Sequence, residues 1–74
     1  MEDAIKLLDV VALLDDIPER RLRKGEVGTV VEEYGEDAVQ VEFADGEGVA
    51  YAFAGIKKAK LLLLHHIAYA EVEA

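Results

Sequence analysis

The sequence predicts an all-β fold, a small barrel of five short strands, and three observations carry that reading. The run Lys24-Gly25-Glu26-Val27-Gly28-Thr29-Val30-Val31-Glu32 reads as a strand entered through a glycine turn. Its second glycine falls where a side chain would otherwise point inward, allowing a sharp bend or a close approach. Residues 38–44 alternate cleanly, with Val39, Val41 and Phe43 on one face and Gln40 and Glu42 on the other. Asp45-Gly46 is the strongest hairpin signal in the chain, because a type I′ turn needs φ > 0 at both central positions.

Taken in order, residues 5–14 fit two patterns. Ile5, Leu8 and Ala12 make a helical stripe, whereas Val10, Ala12 and Leu14 make a strand face. The adjacent β-branched Val10-Val11 and the stop at Asp15-Asp16-Ile17-Pro18 favour a first strand over about residues 10–14. Residues 15–25 follow as a long loop in which Pro18 fixes φ and Leu22 plugs onto the core. The second strand runs from Glu26 to Tyr34, and Gly35-Glu36-Asp37 turns it into the third, Ala38 to Ala44. Glu47-Gly48 can lengthen the Asp45-Gly46 turn to four residues. The fourth strand, Val49 to Phe53, is expected to send Val49, Tyr51 and Phe53 to the core and Ala50 and Ala52 the other way. Gly55 to Ala59 then has room for one short turn of 3₁₀ type before a closing strand, Leu61 to Leu64. Residues 65–74 read as a tail extension of a single domain spanning 1–74, continuing either as a short helix or as a strand with a frayed end.

A chain of 74 residues lies near the lower limit for a self-sufficient core, burying only about 60–65% of its unfolded surface. It has no cysteine, so no disulfide and no thiolate zinc site. Hydrophobic residues make up 53% of it, enough to imply a dense core, apolar surface covered by another subunit, or both. The formal net charge of −8 repels a phosphate backbone and an anionic membrane leaflet. Met1-Glu2-Asp3 is acidic where a signal peptide needs a basic start, and no apolar run approaches a membrane span, so a cytoplasmic protein is expected.

Five short strands, a long first loop, tight later hairpins and a one-turn interruption before the last strand together make a partly open SH3-like barrel. The series Leu7-Leu8-Asp9-Val10-Val11-Ala12-Leu13, Ile17-Pro18-Glu19, Leu22-Arg23-Lys24-Gly25, Val27-Gly28-Thr29-Val30-Val31-Glu32, Val41-Glu42-Phe43 and Tyr51-Ala52 resembles a family of small bacterial proteins, domain of unknown function number 4926. The resemblance runs from Ile5 to Leu64 and is most specific in the Pro-Glu…Leu-Arg-x-Gly-x-Val-Gly-Thr-Val-Val block. The chain departs from the family pattern at Ala50, Phe53 and Ala54, where a hydroxyl and two leucines are expected. The resemblance implies an SH3-like barrel, with a second strand similar to those of ribosomal and transcription-factor barrels. It brings no catalytic residue and no cofactor.

Arg20, Arg21, Arg23 and Lys24 hold half of the basic charge in five positions. They are a candidate partner-docking patch, since guanidinium groups grip carboxylates and phosphates in a fork. The plainer alternative is a solvated loop that offsets Asp15, Asp16 and Glu19. Nucleic-acid binding would want that basic face interleaved with aromatic rings, and the loop contains none. Proline-rich peptide binding needs an aromatic groove, and Tyr51 and Phe53 are assigned to the core instead. Adjacent His65 and His66 diverge on either a strand or a helix and do not make a metal site. Neighbouring carboxylates such as Asp15-Asp16 and Glu32-Glu33 do not face one another, serine and cysteine are absent, and no glycine loop cradles phosphate. No enzyme activity, metal or cofactor is expected. The sequence points instead to a protein-interaction module, a small adaptor or one half of a co-encoded pair, with a nucleic-acid-binding barrel as the alternative. Successive apolar residues at 10–14 and 61–64 leave one face exposed whichever way the strands turn, which predicts a homo-oligomer, the alternative being a monomer whose tail folds back over that face. The oligomer interface would be formed by Leu61, Leu62, Leu63, Leu64, Ile67 and Tyr69.

Overall fold

A computed structural model describes residues 5–64 of the chain. It is all-β, with five antiparallel strands: β1 (Val10–Leu13), β2 (Val27–Tyr34), β3 (Ala38–Ala44), β4 (Ala50–Lys57) and β5 (Leu61–Leu64). They form one sheet in the order β4-β3-β2-β1-β5, curled over a single core and left open between its two edge strands. Single 3₁₀ turns occupy Pro18–Arg20 in the first loop and Lys58–Lys60 between β4 and β5. The order, the long first loop and the turn before the last strand are those expected of a partly open SH3-like barrel.

The core is built from alternation. Val30, Val39, Val41 and Phe43 are fully buried, joined by Val11, Leu13, Leu22, Ala54, Ile56 and Leu61. On β1 the inward face is Val11 and Leu13, while Leu14 lies beyond the strand end and is exposed. Gly28 must be glycine because β2 crosses β3 closely there. An added Cβ would fall 2.6 Å from Val41 Cγ1 and 2.8 Å from the Glu42 carbonyl oxygen. Val31 is an extra residue on β2: Val30 pairs with Val41 but Glu32 already pairs with Gln40. Such a bulge sharpens the local twist and helps a short sheet curl.

Two expectations are corrected. The turn after β3 is not the type I′ turn centred on Asp45-Gly46. The Asp45 N–H donates to the Val49 carbonyl and the Gly48 N–H to the Asp45 carbonyl, closing a loop around residues 46–48. Gly48, at φ +84°, takes the left-handed position, so the longer alternative holds. The Asp45 carboxylate accepts from the Glu47 and Val49 N–H groups and locks the loop.

The second correction concerns β4, which does not stop at Phe53 but runs on to Lys57, and its orientation is reversed. Ala54 and Ile56 face the core, and Val49, Tyr51 and Phe53 are exposed at 59, 53 and 48%. Small residues on the even positions fit the narrow interior opposite Val41 and Phe43, where two more aromatic rings would overfill it. The short turn falls after β4, at Lys58–Lys60, not over residues 55–59.

Candidate functional site

The first loop, residues 14–26, is held rigid by its own backbone. Ile17 and Leu22 exchange N–H···O=C bonds of 2.8 and 3.1 Å, pinching off the Pro18–Arg20 turn, and Arg21 closes it at φ 60°. Leu22, 2% exposed, plugs that ring onto the core as expected. Gly25, at φ +93°, returns the chain to β2 while its N–H donates to the Leu13 carbonyl.

The loop's carboxylates are used on main-chain donors. Asp16 accepts the Lys24 N–H at 2.8 Å and Glu26 accepts the Arg23 N–H at 2.7 Å. The Tyr51 hydroxyl donates to the other Glu26 oxygen at 2.7 Å, and this bond, with the Arg23 N–H next, holds the Glu26 carboxyl below its ordinary pKa. The same bond raises the pKa of Tyr51. Asp16 and Glu26 thus cap backbone groups of the loop. Among the described residues the ion pair within 4.0 Å is Lys60–Asp15, at 3.9 Å and solvent-exposed on both sides, so it stabilises little. Arg20, Arg21, Arg23 and Lys24 are exposed. Of their side chains, the Arg20 guanidinium reaches protein, donating to the Phe53 carbonyl at 3.4 Å.

That contact brings the loop to the outer face of β4, where Val49, Tyr51 and Phe53 stand in a row. The sequence assigned this row to the core and saw no aromatic ring near the basic loop. The signal that would have found it is the run of small even residues, Ala50, Ala52 and Ala54, ending in Ile56. Beside the row, Asp16, Ile17 and Glu19 from the loop face Gly55, Ile56, Lys57 and Lys60 across an open groove of about 310 Å³. This groove lies along the outer edge of β4, where the barrel is unclosed. No group of three His, Cys, Asp or Glu side chains arranged to hold a metal occurs among the described residues, and no helix there is long and apolar enough to cross a membrane.

The candidate self-association residues divide. Leu61 is buried and Leu63, half-buried, packs against the core. Leu62 is 50% exposed and lies across from Ala12, which in turn lies across from Val27, 46% exposed. Val10 and Leu64, both half-buried, pair in the next outward row. On this face Val27 and Leu62 are exposed, Val10 and Leu64 are half-buried, and Ala12 between them is buried. Ile67 and Tyr69 lie outside the described residues, as do His65 and His66.

A family model, Domain of unknown function (DUF4926), matches residues 7–63, well over half of the chain. No curated protein and no solved structure matches it.

Proposed function

The chain belongs to this DUF4926 family, and on that premise we propose that it is a non-catalytic, cytoplasmic protein-interaction module. It serves either as a small adaptor or as the covering half of a co-encoded pair. The observation that carries this reading is the Arg20–Phe53 contact. It sets a rigid loop with four exposed cations against an exposed Val49-Tyr51-Phe53 row. Aromatic and arginine side chains side by side are the composition of protein-binding hot spots. Side chains arranged for acyl transfer are missing, since the sequence has neither serine nor cysteine.

Nucleic-acid binding is the competing class, because Phe53 and Tyr51 supply rings beside the basic loop that the loop itself lacks. Charge weighs against it: the chain carries −8, and the loop's four cations share it with Asp15, Asp16, Glu19 and Glu26. Titration against RNA and duplex DNA over a range of salt separates the classes. The expected result is no binding, alongside co-purification of a protein partner from the native cell. Micromolar binding to either nucleic acid at about 150 mM salt would overturn the proposal.

A second surface supports self-association as well. The Val27–Ala12–Leu62 row lies on the opposite end of the sheet from β4 and is apolar across three strands. Pairing two copies through it buries surface that no other element among the described residues covers.

A further inference from the structure

We infer that the free edge of β4 accepts an extended, acidic segment of a partner protein as a sixth strand, an assignment that rests on the protein-interaction reading above and specifies its partner. The register decides which groups are available. Lys58 donates its N–H to the Asp37 carbonyl at 2.7 Å, and Ala38, Val39, Gln40, Val41 and Glu42 then face Lys57, Ile56, Gly55, Ala54 and Phe53 in turn. In an antiparallel ladder alternate residues exchange hydrogen bonds with the neighbour. Ile56 and Ala54 are therefore bonded to β3, and Lys57, Gly55 and Phe53 direct their N–H and C=O groups away from it. The Arg20 guanidinium on the Phe53 carbonyl marks that direction.

Among the described residues no strand pairs with this side of β4, and an edge with a row of unpaired donors and acceptors is a template for another strand. Edges are commonly blunted by a covering element, a bulge or proline. Here Arg20 makes one long contact, and the groove of about 310 Å³ keeps the loop off the strand at Gly55. Gly55 adds no side chain to obstruct the approach, and an added Cβ there would meet Tyr34 only at 3.6 Å.

Charge selects the occupant. Seven of the eight cationic side chains lie on the two segments that flank the groove: Arg20, Arg21, Arg23 and Lys24 on the loop, Lys57, Lys58 and Lys60 at the end of β4. Of the sixteen carboxylates, Asp15, Asp16, Glu19 and Glu26 are on those segments. Asp16 and Glu26 are committed to backbone N–H groups and Asp15 to Lys60. The two segments that flank the groove are net positive, in a chain whose net charge is −8. A segment with carboxylates at alternate positions satisfies those cations from one face and lays apolar side chains toward Ile17 from the other.

Amide NMR of the full chain, titrated with an alternating Glu–Val peptide the length of β4, tests this, with an alternating Lys–Val peptide and an oligouridine as comparison probes. The expected result is that Glu–Val alone binds, shifts the Phe53, Gly55 and Lys57 amides and slows their exchange. Two variants separate edge pairing from charge, because Lys57 already sits at φ −70° and ψ 140°, which proline accepts. Lys57→Gln and Lys57→Pro remove the same charge, but only the second removes the outward N–H. Lys57→Pro is expected to bind roughly three- to tenfold more weakly than Lys57→Gln, with thermal melts confirming that both fold. Equal affinity of the two variants, or Glu–Val binding that shifts only loop amides, would overturn strand addition while leaving a protein-interaction module standing. Oligouridine binding in place of Glu–Val would overturn both.

Discussion

The Tyr51 hydroxyl and the Glu26 carboxylate, 2.7 Å apart, tie the exposed face of β4 to the root of the first loop. The bond joins residues 25 positions apart in the chain. It fixes the loop relative to the β4 edge.

This pair predicts a pH signature. Glu26 titrates lower in the folded chain than its ordinary 4.5, so its contribution is present above that value and is lost as pH falls through the depressed folded pKa. Tyr51 titrates above its ordinary 10.0, so its contribution is present below that value and is lost as pH rises through the raised folded pKa. Tyr51→Phe removes the bond without removing the ring. The melting-temperature difference between Tyr51→Phe and the parent should be constant near neutral pH and shrink at both extremes. Both residues are partly or largely exposed, so its size should correspond to less than about 1 kcal/mol. A difference independent of pH from acid to alkali would refute the assignment.

Gly28 and Gly55 should respond oppositely to the same added methyl group. Gly28→Ala meets the Glu42 carbonyl at 2.8 Å and Val41 at 2.6 Å, and backbone of a paired strand yields little. Urea unfolding should show a loss of about 1–3 kcal/mol or more. Gly55→Ala reaches nothing closer than 3.6 Å and should stay within about 0.5 kcal/mol of the parent.

The β3–β4 hairpin rests on one carboxylate. Asp45→Ala frees the Glu47 and Val49 N–H groups and is expected to cost about 1–2 kcal/mol by urea denaturation. Asp45→Asn, which keeps an acceptor oxygen, should recover most of that. Gly48→Ala places a side chain at φ +84° and should cost about 1 kcal/mol.

Self-association should appear as a light-scattering mass above the 8.1 kDa of one chain, rising with concentration. Leu62→Glu puts a charge at the exposed β5 end of the Val27–Ala12–Leu62 row and should return the mass to that of one chain with little loss of stability. Leu61→Glu, directed into the core, should instead unfold it. A parent mass that stays near 8.1 kDa at every concentration would remove this surface from consideration.

By itself the sequence determined the fold class, the third and fifth strands to the residue, the need for glycine at Gly25 and Gly28, and Leu22 as the plug of the first loop. Each of these rests on a local rule: period-two alternation, a left-handed turn, or a single large apolar group in a polar stretch. It did not determine which face of β4 turns inward. Val49-Tyr51-Phe53 and Ala50-Ala52-Ala54-Ile56 are both apolar, so alternation supports either choice, and larger side chains appeared the better core. The interior decided otherwise, because Phe43 and the valines opposite leave room for alanine and isoleucine but not for two further rings. The same ambiguity hid Leu62 among four leucines until pairing with β1 assigned odd positions to the core and even ones to solvent. Only the tertiary structure placed Arg20 on Phe53 and set the first loop across a groove from Lys57 and Lys60. Those residues are about 30 to 40 positions apart, and no local pattern relates them.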